Sequence, residues 1–113
     1  MNIQIIGTKK CRDTQKAERF FKERRIPYHF RDLAEKGISK GELDNIIRVI
    51  SLEDLIDKES KQYKKRGFEY MVYDIETELL EDSFLLKTPS VRNGKLATIG
   101  YKPESWKEWI KEN

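Results

Sequence analysis

A chain of 113 residues with 37% hydrophobic and 38% charged side chains holds one modest core under a heavily solvated surface, so disorder is excluded and 1–113 reads as a single domain. Lys and Arg outnumber Asp and Glu by 23 to 20, but the signs are mixed along the chain, and direct nucleic-acid binding is disfavoured because a phosphate-binding surface needs clustered positive charge. One cysteine excludes an internal disulfide and a multi-thiolate zinc centre, and with no membrane-length apolar run and no signal-type N-terminus the protein is expected to be soluble, cytoplasmic and monomeric.

Asn2 to Ile6 is short, rich in isoleucine and closed by Gly7, the pattern of a buried first strand running into a turn. Cys11 follows, just before a helix predicted from Thr14 to Arg25, with Asp13 or Thr14 as its cap and Ala17, Phe20 and Phe21 on one face. A thiol placed there meets unpaired backbone N–H groups and the positive end of the helix dipole, both of which favour a thiolate, and Lys10 and Arg12 flank it with positive charge. The alternative reading of Cys11 is a small buried hydrophobe. Pro27 ends the helix, and Tyr28 to Arg31 reads as a second strand parallel to the first, joined by a right-handed crossover.

Ser39-Lys40-Gly41-Glu42 has the spacing of a capping box, and Leu43, Ile46, Ile47 and Ile50 form the apolar stripe of the helix it starts. Ser51 to Asp54 looks like a further helix start, continued through Asp57 to Arg66 with few apolar anchors as a mobile or surface-lying segment that Gly67 stops. A short helix through Ile75, Leu79 and Leu80 follows, its beginning blurred by the β-prone Tyr70 to Tyr73. Phe84 to Val91 runs through Arg92-Asn93-Gly94-Lys95 into Leu96 to Gly100, and the strands on either side of the Asn93-Gly94 turn are expected to pair antiparallel, with Pro89 opening the first of them. Pro103 to Lys111 closes the chain as a helix that packs Trp106 and Trp109 on the sheet. The order predicts an α/β, thioredoxin-like, mixed four-stranded sheet, with a helical insertion over about 36–82 between a β-α-β half and a β-β-α half.

The run from Ile5 to Ala17 with its cysteine at the helix start resembles the arsenate reductase/Spx family. So do Ile26-Pro27-Tyr28 followed by Arg31-Asp32-Leu33, and Leu85-Leu86-Lys87-Thr88-Pro89 leading through Gly94 to Ile99-Gly100-Tyr101. The spacing of Ser39, Glu42 and Leu43 and the run Ser60-Lys61-Gln62-Tyr63 agree, so the likeness spans nearly the whole chain. The resemblance implies a nucleophilic role for Cys11 and a cis peptide bond at Thr88–Pro89 opposite it. It further implies no tightly bound cofactor, glutathione or another low-molecular-weight thiol as co-substrate, and glutaredoxin as a partner. Lys10 and Arg12 are then expected to stabilise the thiolate, Thr14 to hydrogen-bond it, and Thr88, Pro89 and Arg92 to bind the incoming thiol or substrate. The alternative for Thr14 is an ordinary helix-start residue.

Where the arsenate reductases hold their oxyanion with arginines, this chain has Asp57, Lys58 and Glu59, then Thr88 before the proline, then Tyr101 and Lys102. A carboxylate repels an arsenate oxygen, and a lone lysine lacks the guanidinium fork. The leading expectation is therefore a thiol-dependent oxidoreductase whose Cys11 forms a mixed disulfide with a glutathione-like thiol. One alternative is an Spx-like regulator that binds RNA polymerase without catalysis, lacking the Cys-x-x-Cys switch because Thr14 occupies the second position. The other is an atypical arsenate reductase using Lys58, Arg92 or Lys102.

Overall fold

Alternation along the first strand builds two cores, one on each face of the sheet. In the computed structural model, which describes residues 1–111, the elements run β1 (Ile3–Gly7), α1 (Arg12–Glu23), β2 (Tyr28–Asp32), α2 (Lys40–Ile47), α3 (Leu52–Leu55), α4 (Lys61–Lys65), α5 (Ile75–Glu81), β3 (Ser90–Asn93), β4 (Leu96–Ile99) and α6 (Pro103–Lys111). The sheet order is β2-β1-β3-β4, parallel between β1 and β2 and antiparallel elsewhere. Ile3 and Ile5 point to one face, where they meet Ala17, Phe20 and Phe21 of α1 and Trp106 and Trp109 of α6. Ile6 points to the other, against Leu43, Ile46, Leu55 and Leu79 of the helices between β2 and β3. This is the expected thioredoxin-like arrangement. No helix among the described residues is long and apolar enough to cross a membrane.

Several boundaries differ from the sequence reading for identifiable reasons. The first helix begins at Arg12 rather than Thr14, and Cys11 itself is its N-cap, with extended φ and ψ of −74° and 121°. Its far end closes at Arg25, whose positive φ of 57° lets the Arg25 N–H reach Lys22 O and the Ile26 N–H reach Phe21 O, a Schellman arrangement without the usual glycine. The predicted continuous helix through Arg66 breaks at Ile56, which is buried and bridges Leu86 in antiparallel fashion, flanked by Asp57 N–H to Leu85 O and Lys87 N–H to Leu55 O. The helix restarts at Lys61, where the Ser60 hydroxyl accepts from Tyr63 N–H. That segment lies on the surface as expected, anchored on the second core by Tyr63, its one buried residue. Tyr70 to Tyr73 forms no strand, Ser83–Leu85 is a 3-10 turn, and β3 starts at Ser90 directly after Pro89, where the sequence opens it. The hairpin turns on Gly94-Lys95, one residue later than expected, because Asn93 pairs with Leu96 and Gly94 alone takes a positive φ there.

Two contacts fix how these parts meet. A Cβ on Gly7 would lie 2.4 Å from Thr14 Oγ1 and 2.9 Å from its Cγ2, so only glycine lets α1 start this close to β1. On the opposite edge, Arg31 of β2 reaches the loop and helix that follow. Its Nε and Nη2 donate to the Glu42 carboxylate at 2.9 and 3.1 Å, and its remaining donors reach Lys36 O and Gly37 O at 2.7 Å each. Glu42 in turn accepts from Ser39 N–H while the Ser39 hydroxyl accepts from Glu42 N–H, so the predicted capping box is part of the same network. Burial pushes the Glu42 carboxyl up, but the Ser39 N–H and the Arg31 guanidinium outweigh it and hold the group below its ordinary value.

Gly7→Ala is expected to lower the unfolding free energy by about 2 kcal/mol, read as a lower urea midpoint at unchanged slope. The lowered Glu42 value sets the sign of a pH effect: its contribution is complete above the unfolded carboxyl value of about 4.3 and disappears as pH falls through the lower folded value. Urea titrations at neutral pH and at about pH 3 should therefore show Glu42→Gln losing less stability on acidification than the parent, having lost about 2 kcal/mol already at neutral pH.

Candidate functional site

The C-terminal end of β1 and the entry to β3 converge on Cys11. The Cys11 carbonyl accepts the Gln15 N–H at 3.0 Å and its N–H donates to Thr8 O at 3.2 Å, so the backbone on both sides of the thiol is held while the residue stays partly exposed. Facing it is the segment that enters β3, with a cis peptide bond at Thr88–Pro89 as the resemblance implied. The Thr88 hydroxyl donates to Cys11 Sγ at 3.1 Å, and Sγ lies 3.7 Å from Thr88 O. These two contacts suit opposite protonation states of the sulfur. The thiol donates to the Thr88 carbonyl, and a thiolate accepts from the Thr88 hydroxyl in a bond that strengthens with negative charge.

Cys11 and Thr88 open on a cleft of about 640 Å³. Three carboxylates line it, Asp13 from α1 and Asp54 and Asp57 from the insertion, together with two lysines, Lys87 and Lys102. Asp57 thus stands in the cleft with a carboxylate, and Lys102 is there as a lysine. The other side of the cleft is the run Ala97 to Gly100 of β4 and the turn beyond it. Its charges nearly cancel, which suits a zwitterionic or mixed-charge ligand better than a compact anion.

The predicted site residues separate on this geometry. Cys11, Thr88 and Pro89 come together. Lys10 and Arg12 are exposed and line no part of the cleft, and the lysines that do are Lys87 and Lys102. Thr14 does not hydrogen-bond the sulfur: with Cys11 as N-cap it falls on the inner face of the helix, its hydroxyl buried against Gly7 without a hydrogen-bond partner among the described residues. Arg92 lies away from the thiol, because the register places it opposite Gln4 near the start of β1, where it donates to Gln4 Oε1 at 3.2 Å and to Gly94 O at 3.4 Å. Lys58 pairs with Glu53 at 3.1 Å. Sequence reasoning missed Lys87, Asp13 and Asp54. Lys87 was signalled by its place beside Thr88-Pro89, whereas nothing local marks Asp54 as a neighbour of Cys11.

A thiol at the N-cap of the first helix, facing a cis-proline segment across the end of a β2-β1-β3-β4 sheet, defines a thioredoxin-like domain. The ArsC family profile matches residues 6–109, and the chain belongs to the ArsC family. Among solved structures it is similar to the YffB protein (TM-score 0.84, 19% identity, 94% of this chain and 96% of that one covered). It is similar also to the arsenate reductase from Vibrio cholerae (TM-score 0.80, 18% identity, 96% and 97% covered). The glutaredoxin-like protein NrdH-redoxin from Escherichia coli shares the fold more distantly (TM-score 0.50, 13% identity, 96% and 93% covered). No curated protein matches the chain in sequence.

The two threonines can be told apart experimentally. Thr88→Val is expected to slow alkylation of Cys11 by iodoacetamide at neutral pH roughly tenfold, the worth of one hydrogen bond to a charged sulfur. Thr14→Val, which replaces an unpaired buried hydroxyl by a methyl group, should leave that rate unchanged and raise the unfolding free energy by about 1 kcal/mol.

Proposed function

We propose that this protein is a thiol-dependent oxidoreductase in which Cys11 works with an external thiol of the glutathione type. The observation that carries the reading is the Thr88 hydroxyl at 3.1 Å from Cys11 Sγ in an open cleft, a donor placed where a thiolate needs one. Membership of the ArsC family and the solved relative named an arsenate reductase support the same chemical class. The Cys11 thiolate attacks one sulfur of a disulfide RS–SR, the S–S bond breaks, and RS⁻ leaves while Cys11 carries the mixed disulfide. A second external thiolate then attacks the R sulfur of that mixed disulfide, forming a new disulfide and returning Cys11 as thiolate. Cys11 is the chain's only cysteine, so the thiolate that resolves its mixed disulfide comes from outside, supplied by glutathione directly or by glutaredoxin.

The pre-proline Thr88 would present its backbone to the incoming thiol, and Lys87 and Lys102 would meet its carboxylates. Glutathione carries two carboxylates and one ammonium group, a charge pattern that a cleft with both lysines and aspartates accommodates. Arsenate does not fit this arrangement: Asp13, Asp54 and Asp57 repel an oxyanion, and the lysines offer point charges without a bidentate fork.

Incubation with glutathione disulfide followed by intact-mass analysis tests the reading. One glutathionyl adduct is expected on Cys11, removed by excess glutathione and absent in Cys11→Ser. A folded protein whose Cys11 stays free under these conditions would sink the proposal.

A further inference from the structure

One side of the cleft is an unpaired strand edge. Among the described residues β4 is outermost in the sheet and pairs on one side only, and its residues Ala97 to Ile99 line the same cleft as Cys11. The register says which backbone groups are free. Residues of an antiparallel pair alternate between turning both N–H and C=O toward the partner strand and turning both away. The Gly100 N–H donates to Pro89 O at 2.8 Å, and Thr98 pairs with Val91 and Ala97 with Arg92. Counting back from Gly100, Thr98 and Leu96 face β3, so Ile99 and Ala97 present their N–H and C=O outward.

The two edges of the sheet are not alike. β2 carries His29, Arg31 and Asp32, and the Arg31 guanidinium ties down the loop that follows. β4 reads Leu-Ala-Thr-Ile, without a charge or a proline, the usual devices that stop an edge from accepting another strand. The side chains of Ala97 and Ile99 lie on the face covered by the insertion, where Ile99 packs on the second core. The wall of the cleft on that side is Ile50, Asp54 and Asp57. Asp54 accepts from the Ser51 hydroxyl and Asp57 from Glu59 N–H, both neutral donors, so neither bond cancels its carboxylate charge.

We propose that the β4 edge binds an extended polypeptide as a fifth strand, with Lys or Arg side chains turned toward Asp54 and Asp57, and so delivers a cysteine of that polypeptide to Cys11 as its mixed disulfide with glutathione. The inference rests on the thiol reading of Cys11 for its chemical step, whereas the docking step does not. In that step Cys11 thiolate attacks the glutathionyl sulfur, the S–S bond breaks, and the polypeptide leaves as thiolate. Free glutathione thiolate then attacks the glutathionyl sulfur on Cys11, releasing glutathione disulfide and restoring the thiolate. Main-chain hydrogen bonds to Ala97 and Ile99 give the affinity, and the alternate basic side chains give the preference.

The probe is a synthetic peptide of alternating valine and lysine around one S-glutathionylated cysteine. It is compared with the same peptide N-methylated at the amides that pair with the edge, and with its glutamate-for-lysine counterpart. Docking is read by amide hydrogen exchange in Cys11→Ser, where no sulfur chemistry intervenes. The unmethylated basic peptide is expected to slow exchange at Ala97 and Ile99 at least about fivefold, and the other two peptides to leave it unchanged. Deglutathionylation by the parent protein is expected to be about tenfold slower for the methylated peptide. Unchanged exchange at both amides, or equal protection by the methylated peptide, overturns the docking site. Protection without sulfur transfer keeps the docking site and removes the thiol reading, and transfer without protection does the reverse.

Discussion

Everything in the site is referred to the last residues of β1. Gly7 has no Cβ, so Thr14 of α1 packs directly on it, and the start of the helix is seated on the end of the strand. The Gly7 carbonyl also receives the Leu33 N–H at 2.9 Å, which ties the end of β2 to the same point. One residue earlier, Ile6 pairs with Ser90 of β3, and Ser90 follows Pro89 directly. Cys11 and Thr88, 77 residues apart in sequence, are thus both held by β1, and their 3.1 Å contact follows from that shared anchor. A buried strand packed on both faces is the stiffest support available in a domain of this size.

Much of this was legible in the sequence because the determining signals were local. The capping box at Ser39 and Glu42, the apolar face of α1 and the Trp106 and Trp109 pair each depend on residues a few positions apart. Where the cause lay elsewhere in the chain, the reading failed. The helix interruption at Ile56 is made by pairing with Leu86, and no residue near Ile56 announces it. By contrast the close of α1 at Arg25 falls where Pro27 marked the helix end, although it uses a left-handed residue that is not glycine.

The site divides in the same way. That Cys11 stands at a helix start with Thr88-Pro89 opposite it was visible, but the hydrogen bond to the sulfur was expected from Thr14 and is made by Thr88. The difference is a shift of helix start by two residues, which turns Thr14 inward. The cations follow the same pattern. Lys10 and Arg12 neighbour the thiol along the chain and point to solvent, while Lys87 and Lys102, brought by β3 and β4, share its cleft. Electrostatics around a reactive group is a property of the folded surface, and adjacency in sequence predicts it poorly when the group sits at a helix N-terminus with side chains radiating away.

The Arg31 and Glu42 pair also bears on the mechanics of the molecule. Besides the apolar core it shares with Ile6 and Ile99, the insertion is tied to the β2 edge through that pair and to the approach of β3 through Ile56 and Leu86. The cleft has one jaw on each body: β4 belongs to the sheet, and Ile50, Asp54 and Asp57 belong to the insertion. The sulfur and its hydroxyl partner both sit outside the insertion, at the start of α1 and the entry to β3, so the sheet half alone sets the reactive contact while the insertion supplies the facing wall that a ligand must pass.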